Sequence, residues 1–262
     1  MSSLRILIAD DHYLVRLGLR SLVDSHAGWE ICGEAVDGRE AVTKCKQLKP
    51  DLLILDICMP KLNGVDAARQ ILQARPTQSI LIVTDVDSEE VIRECLAVGV
   101  RGWVWKSDGY DDLIMAVEKL QNRGTFLTPS VAQLVLSSYL QKAHNRPAET
   151  IVARLSPRER EVVQLISEGS TTKEVASILH MAVNTAETHR NNSMRKLGIH
   201  SIAELVLYAV RNNIIQIHLA AAPLADTKPI DRRAYLVPQK DHQLLNRGPV
   251  VGLAQRSGLT SA

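Results

Sequence analysis

Leu52-Leu53-Ile54-Leu55-Asp56 is a run of four apolar residues that stops on a carboxylate. Such a run suits a strand covered on both faces. Two others have the same form. Leu4-Arg5-Ile6-Leu7-Ile8-Ala9 stops on Asp10-Asp11, and Ile80-Leu81-Ile82-Val83 stops on Thr84. Glu30 to Ala35 and Gly102 to Trp105 are shorter candidates, the latter followed by Lys106. Helical stretches lie between the runs. Leu14, Leu17, Gly18 and Leu22 share one face; Ile92, Leu96 and Val98 form another, and Leu113, Ile114, Val117 and Leu120 a third. Five strands alternating with five helices predict an α/β fold, a doubly wound five-stranded parallel sheet. Ligands bind such sheets outside the carboxyl ends of the strands, beside a topological switch point. Asp10, Asp11, Asp56, Thr84 and Lys106 all stand at strand ends.

Composition bounds the rest. The chain has 262 residues, enough for two modest domains, and its single Phe requires aliphatic cores. No stretch approaches the roughly 20 apolar residues that cross a bilayer, so no membrane partner is expected. The start of the chain reads as strand, not as a signal peptide. Cys32, Cys45, Cys58 and Cys95 are far apart and form no Cys-x-x-Cys pair. They read as reduced, buried thiols of a cytoplasmic protein. Residues 1–125 carry four more acidic than basic side chains, residues 150–218 two more basic than acidic, and residues 219–262 three more. An acidic front and a basic back fit a cation-binding module joined to one that binds a polyanion.

Residues 126–153 read as a linker with a helix, opened by Thr128-Pro129 and followed by Val131, Leu134, Val135 and Ser138 at helical spacing. Residues 154–218 are helical in pattern, with three capping boxes: Ser156 to Glu159, Thr171 to Glu174 and Ser201 to Glu204. Four short helices there predict an all-α helix-turn-helix domain. Residues 219–262, rich in Pro, Gly and Ala, read as a disordered tail.

Carboxylates that converge at strand ends stay ionised together only around a cation, and hard oxygen ligands select Mg²⁺. A carboxylate there can also act as a nucleophile and carry a phosphoryl group, given a neighbouring cation and a hydroxyl donor. Asp56, Lys106 and Thr84 fit these roles. One Asp at a strand end is commonly only a helix cap; all five residues at these spacings are not. Ile8-Ala9-Asp10-Asp11-His12, Leu55-Asp56-Ile57-Cys58-Met59-Pro60 with Gly64, and Gly102-Trp103-Val104-Trp105-Lys106 resemble the receiver domains of two-component systems, over residues 4–121. The resemblance implies a flavodoxin-like fold with Asp56 as phosphoacceptor. It implies Asp11, Asp56 and the Cys58 carbonyl as Mg²⁺ ligands, with Asp10 holding a metal-bound water. Thr84 becomes the switch hydroxyl and Trp103 the switch aromatic. Asp85 departs from the family's small or apolar residue after Thr84; it could repel a phosphoryl group or pair with Lys106. Trp105 is larger than the usual residue before the lysine.

Leu155-Ser156-Pro157-Arg158-Glu159, Lys173-Glu174-Val175-Ala176 and Asn184-Thr185-Ala186-Glu187-Thr188-His189-Arg190 resemble the LuxR-type DNA-binding domain, from 154 to about 214. With a receiver in front, the whole resembles the NarL/FixJ group of bacterial response regulators. The recognition helix of such a domain enters the major groove, where Asn and Glu side chains can read base edges. Asn184, Thr185, Glu187, Thr188 and Asn191 are the candidates. Lys173, Arg190, Arg195 and Lys196 suit phosphate contacts. Ala186 and Ser193 replace larger residues of the family, and Met181-Ala182 lacks its Ser cap, so this helix is expected to be weak and to order on DNA. The helix after Ser201, with Leu205, Val206, Tyr208 and Ala209, corresponds to the family's dimer surface.

The resemblance implies a transcription factor, not an enzyme beyond its own phosphorylation. Its partners would be a sensor histidine kinase, double-stranded DNA, a second copy of the chain when active, and RNA polymerase. In the resting state the receiver would cover the recognition helix. The alternative is a phosphorylation-independent DNA-binding regulator with a vestigial receiver, which Asp85 motivates.

Overall fold

β1 (Leu4–Ala9), β2 (Trp29–Ala35), β3 (Leu52–Leu55), β4 (Ser79–Thr84), β5 (Gly102–Trp105) and β6 (Phe126–Leu127) form one parallel sheet in the order β2-β1-β3-β4-β5-β6. The structure is a computed structural model and describes residues 3–144 and 155–216. The end of the expected linker and the expected disordered tail, 219–262, lie outside the described residues. The sheet has six strands where five are expected. The sixth is two residues long, too short for any hydrophobic period. It forms because Phe126 N–H donates to the Arg101 carbonyl at 2.9 Å, which sets Phe126 beside Gly102.

α1 (Tyr13–Ser25) and α5 (Tyr110–Gln121) cover one face, and α2 (Gly38–Leu48), α3 (Gly64–Ala74) and α4 (Glu89–Val98) the other. The strands are buried on both sides: Leu7, Leu53 and Ile82 face the α2–α4 side, while Ile6, Ile8, Ile54 and Leu81 face α1 and α5. Each such aliphatic side chain contributes about 1.5–3 kcal/mol by leaving water. The face of α1 is corrected. Leu14 and Leu17 are 77% and 46% exposed, and Leu19, Leu22 and Val23 are buried. Val15, Leu19, Leu22 and Val23 form a stripe at helical spacing with an aliphatic side chain at every position, so packing turns that stripe inward.

α6 (Pro129–His144) opens at Thr128-Pro129 as its sequence predicts, and Val131 enters the core cluster that includes Trp103. The second domain has four helices, α7 (Pro157–Ser167), α8 (Thr172–Ile178), α9 (Val183–Leu197) and α10 (Ile202–Arg211), around Val162, Leu165, Val175, Leu179, Ala186, Leu205 and Ala209. All three capping boxes are formed. The Ala182 cap of α9 makes no side-chain bond, yet α9 is continuous. No described helix is long and apolar enough to cross a membrane.

Candidate functional site

Strand register assembles the acidic site. Ala9 lies opposite Leu55, and Asp56 N–H donates to the Ala9 carbonyl at 2.9 Å. Asp10 and Asp56 therefore leave adjacent strand ends at β1 and β3, where the strand order reverses. On the next strands Thr84 lies opposite Trp105, and Lys106 N–H donates to the Thr84 carbonyl at 3.0 Å. The Lys106 ammonium sits 2.8 Å from Asp10 Oδ2 and 3.0 Å from Asp56 Oδ2. The other carboxylate oxygens are held by the backbone. His12 N–H donates to Asp10 Oδ1 and Ile57 N–H to Asp56 Oδ1, each at 2.7 Å. Asp10, Asp56 and Thr84 are buried.

The electrostatics follow from burying like charges together. Desolvation, then the Asp56 carboxylate, pushes the Asp10 carboxyl above its ordinary range despite Lys106. Burial works to lower Lys106, but Asp56 and Asp10 outweigh it and raise the ammonium. Burial, helped by Asp56 and Asp11, pushes the Cys58 thiol up to about 12, so it is an inert neighbour. None of the four cysteines is disulfide-bonded.

Ligand atoms of Asp10, Asp11, His12 and Asp56 lie within 4.8 Å of one another. Three carboxylates and a lysine leave the cluster short of positive charge, and this donor set fits a hard divalent cation. His12, which sequence reasoning does not single out, places Nδ1 2.9 Å from Asp11 Oδ1. Its place beside Asp11 in the motif is the signal that could have found it.

Thr84 Oγ1 accepts Val86 N–H at 3.3 Å. Trp103 is fully buried in the same core cluster as Val131, edge-on to Trp105 with ring centroids 5.6 Å apart. Its Nε1–H finds no hydrogen-bond partner among the described residues, a cost of about 1–3 kcal/mol. Asp85 is exposed and lines a cavity of about 490 Å³ with Asp87, Trp105 and Ser130. Lys106 pairs with Asp10 and Asp56 instead of Asp85.

The helical domain meets the sheet domain through α7. The Arg160 guanidinium lies 3.3 Å from Asp66 of α3 and 2.8 Å from Glu94 of α4, and Arg69 pairs with both acids. Arg39 of α2 lies 2.8 Å from Glu161. Gln164 and Glu168 bond the loop between β3 and α3. Sequence reasoning misses all of these residues, because an Arg or Gln on a helix announces no distant partner. The contact also corrects an expectation: the sheet domain does not cover the recognition helix. Asn184, Thr185, Glu187, Thr188 and Asn191 of α9 are exposed, as are Lys173 and Arg195. Arg190 is half-buried and donates to Thr172 Oγ1 at 3.3 Å. Lys196 is committed to Glu159 at 2.7 Å. On α10, Leu205 and Ala209 are core residues, whereas Ile202 and Leu207 are 45% and 52% exposed.

An acidic switch point and a capped helix-turn-helix in one chain define a class, the two-domain response regulator. Residues 6–118 match the response regulator receiver domain, and residues 153–209 match the bacterial regulatory proteins of the luxR family. The response regulator protein VraR of Staphylococcus aureus is 31% identical over 216 residues, 82% of this chain and 100% of the relative. A solved structure of the RcsB response regulator of Salmonella typhimurium matches with a TM-score of 0.51 at 27% identity, covering 80% of this chain and 100% of that one. RcsB of Salmonella enterica serovar Typhimurium, bound to promoter rprA in the presence of phosphomimetic BeF3⁻, matches with a TM-score of 0.53 at 26% identity, covering 79% of this chain and 98% of that one. The chain belongs to the response regulators that join a receiver domain to a LuxR-type DNA-binding domain.

Proposed function

We propose that this chain is a cytoplasmic transcription regulator that takes a phosphoryl group on Asp56 from a sensor histidine kinase and then binds double-stranded DNA as a homodimer. The observation that carries the reading is the half-buried Lys106 ammonium held between the buried Asp10 and Asp56 carboxylates. An Asp56 carboxylate oxygen attacks phosphorus. The N–P bond of the phosphohistidine breaks, and its electron pair returns to the imidazole nitrogen, which takes up a proton. Lys106 neutralises the phosphoryl oxygens, and the Thr84 hydroxyl donates to one of them. Asp11, Asp56 and the Cys58 carbonyl would hold Mg²⁺, with Asp10 on a bound water; the ion supplies further charge neutralisation at the phosphoryl group. Trp103, whose indole N–H has no partner to give up among the described residues, follows Thr84. The chain turns over no other substrate and is not an enzyme in that wider sense.

The exposed face of α9 supports major-groove reading by Asn184, Thr185, Glu187, Thr188 and Asn191, with Lys173, Arg190 and Arg195 on phosphates. The DNA-bound state of RcsB supports the same role. Ile202 and Leu207 supply the apolar surface for a second copy, and RNA polymerase is the partner through which bound protein acts on transcription. Of the two effects of Asp85 that would favour the vestigial-receiver alternative, pairing with Lys106 is not formed, since Lys106 is held by Asp10 and Asp56. Intact mass after incubation with Mg²⁺ and acetyl phosphate tests the reading. A single phosphoryl adduct on the wild type, lost in Asp56→Asn, is expected. No adduct on the wild type would leave the phosphorylation-independent regulator.

A further inference from the structure

The loop from Ile57 to Gly64 leaves the phosphoacceptor and ends at α3, and it is gripped from three sides. At its base, Gly64 N–H donates to the Ile57 carbonyl at 2.7 Å. A Cβ on Gly64 would stand 2.0 Å from the Asp56 carbonyl oxygen, so the start of α3 rests on the backbone of Asp56 itself. On a second side, a Cβ on Gly38 would stand 1.9 Å from the Leu62 carbonyl oxygen, and Lys61 Nζ lies 2.6 Å from Asp37. The third side is α7, from the other domain. Gln164, fully buried, accepts Asn63 N–H at 2.7 Å and donates to the Met59 carbonyl at 2.9 Å. Its amide also donates to Glu168 Oε1 at 2.7 Å, and Glu168 accepts Lys61 N–H at 3.2 and 3.1 Å. Lys61 has φ of +63°, a conformation a lysine adopts at a cost, and its amide is the group that Glu168 holds. Asn63 closes the arrangement. Its side chain caps α3 at Val65 N–H and donates to the Asn213 carbonyl beyond α10, each at 2.9 Å.

These bonds differ from the Arg160 contacts, which join helix to helix. They tie the DNA-binding domain to the backbone that carries the phosphoacceptor. We propose that Gln164, with Glu168, is a positioning residue for the phosphoacceptor loop, holding the Met59 carbonyl and so weakening metal binding at Asp56. The inference rests on the reading above of Asp11, Asp56 and the Cys58 carbonyl as Mg²⁺ ligands. Its direction is that of two holds competing for one short stretch of backbone. A cation beside Asp56 would take the Cys58 carbonyl as a ligand, and the backbone of Met59, the next residue, is fixed through its carbonyl by Gln164. A gain of metal and a grip by α7 therefore oppose each other, and such coupling is reciprocal. Loading the site loosens α7, and loosening α7 favours loading.

The test uses the full chain and Mg²⁺ alone, followed through the fluorescence of Trp103 and Trp105. Gln164→Met keeps the length of the side chain and removes its hydrogen bonds. The Mg²⁺ concentration at half-saturation is expected to fall about fivefold, and Glu168→Gln to lower it less. In acetyl phosphate reactions the half-saturating Mg²⁺ shifts likewise, while the rate at saturating Mg²⁺ stays within about twofold of wild type. A merely structural role would instead lower that rate together with the melting temperature. Half-saturation within about twofold of wild type in both variants would overturn the proposal. If the wild type binds Mg²⁺ but takes no phosphoryl group, the phosphorylation reading fails and the Mg²⁺ titration still decides this one.

Discussion

Glu159 serves two helices at once. Its carboxylate accepts Ser156 N–H at 2.7 Å to complete the cap of α7, and it holds the Lys196 ammonium of α9 at 2.7 Å. Burial would raise its pKa, but Lys196 and the Ser156 amide outweigh burial and hold the carboxyl below 4.5. A carboxylate depressed in the folded state stabilises the fold above its unfolded pKa and loses that contribution as pH falls through the folded value. Thermal unfolding of the wild type should therefore lose stability as pH falls below the ordinary glutamate range and through the lower folded value, and Lys196→Met should unfold more easily at neutral pH with a flatter acid limb. Parallel acid limbs in the two proteins would show that Lys196 does not act on Glu159. The same pairing demotes Lys196 as a phosphate contact, since binding a phosphate would first require giving up Glu159.

At the scale of elements, α9 is where local sequence and tertiary packing disagree. Its cap is Ala182, which offers no acceptor to the first turn. Ala186 and Ser193 fill buried positions with small side chains, and Ser193 Oγ turns back to donate to the His189 carbonyl at 2.8 Å. The helix forms because α7 and α8 pack against it and Gly198 ends it in the left-handed conformation. Ala182→Ser should restore the cap and add about 1 kcal/mol, a rise of about 4–8 °C in the melting of a domain this small. Calorimetry reads this directly; an unchanged transition would mean the new hydroxyl does not reach the first-turn amides. For α1 the disagreement is one of rotation. Leu14 and Leu17 do share a face, but Gly18 brings it no side chain, whereas Val15, Leu19, Leu22 and Val23 are all aliphatic, and the core accepts only one face.

At the scale of the whole molecule, the contact between the domains is polar. Arg160 is nearly enclosed, with Asp66, Glu94 and Arg69 around it. Such a cluster holds its geometry while all members are present. Removing one partner from a buried pair costs about 3–5 kcal/mol, because the other charges stay buried. Here the acids can regain water if the domains part. Arg160→Met should therefore enlarge the radius of gyration in X-ray scattering without unfolding either domain; an unchanged radius would place the hold elsewhere. The reading face of α9 is exposed in the docked arrangement. What docking touches instead is the end of α10, through Asn213 and Ile214, with Tyr208 in the field of Arg160. The docked state thus bears on the helix that would pair two copies more than on the helix that would read DNA.

The sequence by itself determined the α/β alternation, the three capping boxes, the Thr128-Pro129 helix start and the set Asp10, Asp11, Asp56, Thr84 and Lys106. Each is a local pattern: a run ending in a carboxylate, or a cap three residues from its acid, carries its own physical meaning. Even the convergence of the five residues follows from a general property of parallel sheets, whose strand ends meet on one edge. Tertiary structure alone decided the rest. The sixth strand is too short to carry a period, and the inward face of α1 depends on which stripe fits the core. The grip of Gln164 on Met59 and Asn63 joins residues about a hundred positions apart, and the seat of Arg160 between Asp66 and Glu94 likewise joins residues far apart in the chain. Nothing local distinguishes that Gln or that Arg from a solvated one. Their roles come from which surfaces meet, and that is fixed by packing and charge complementarity summed over the whole chain.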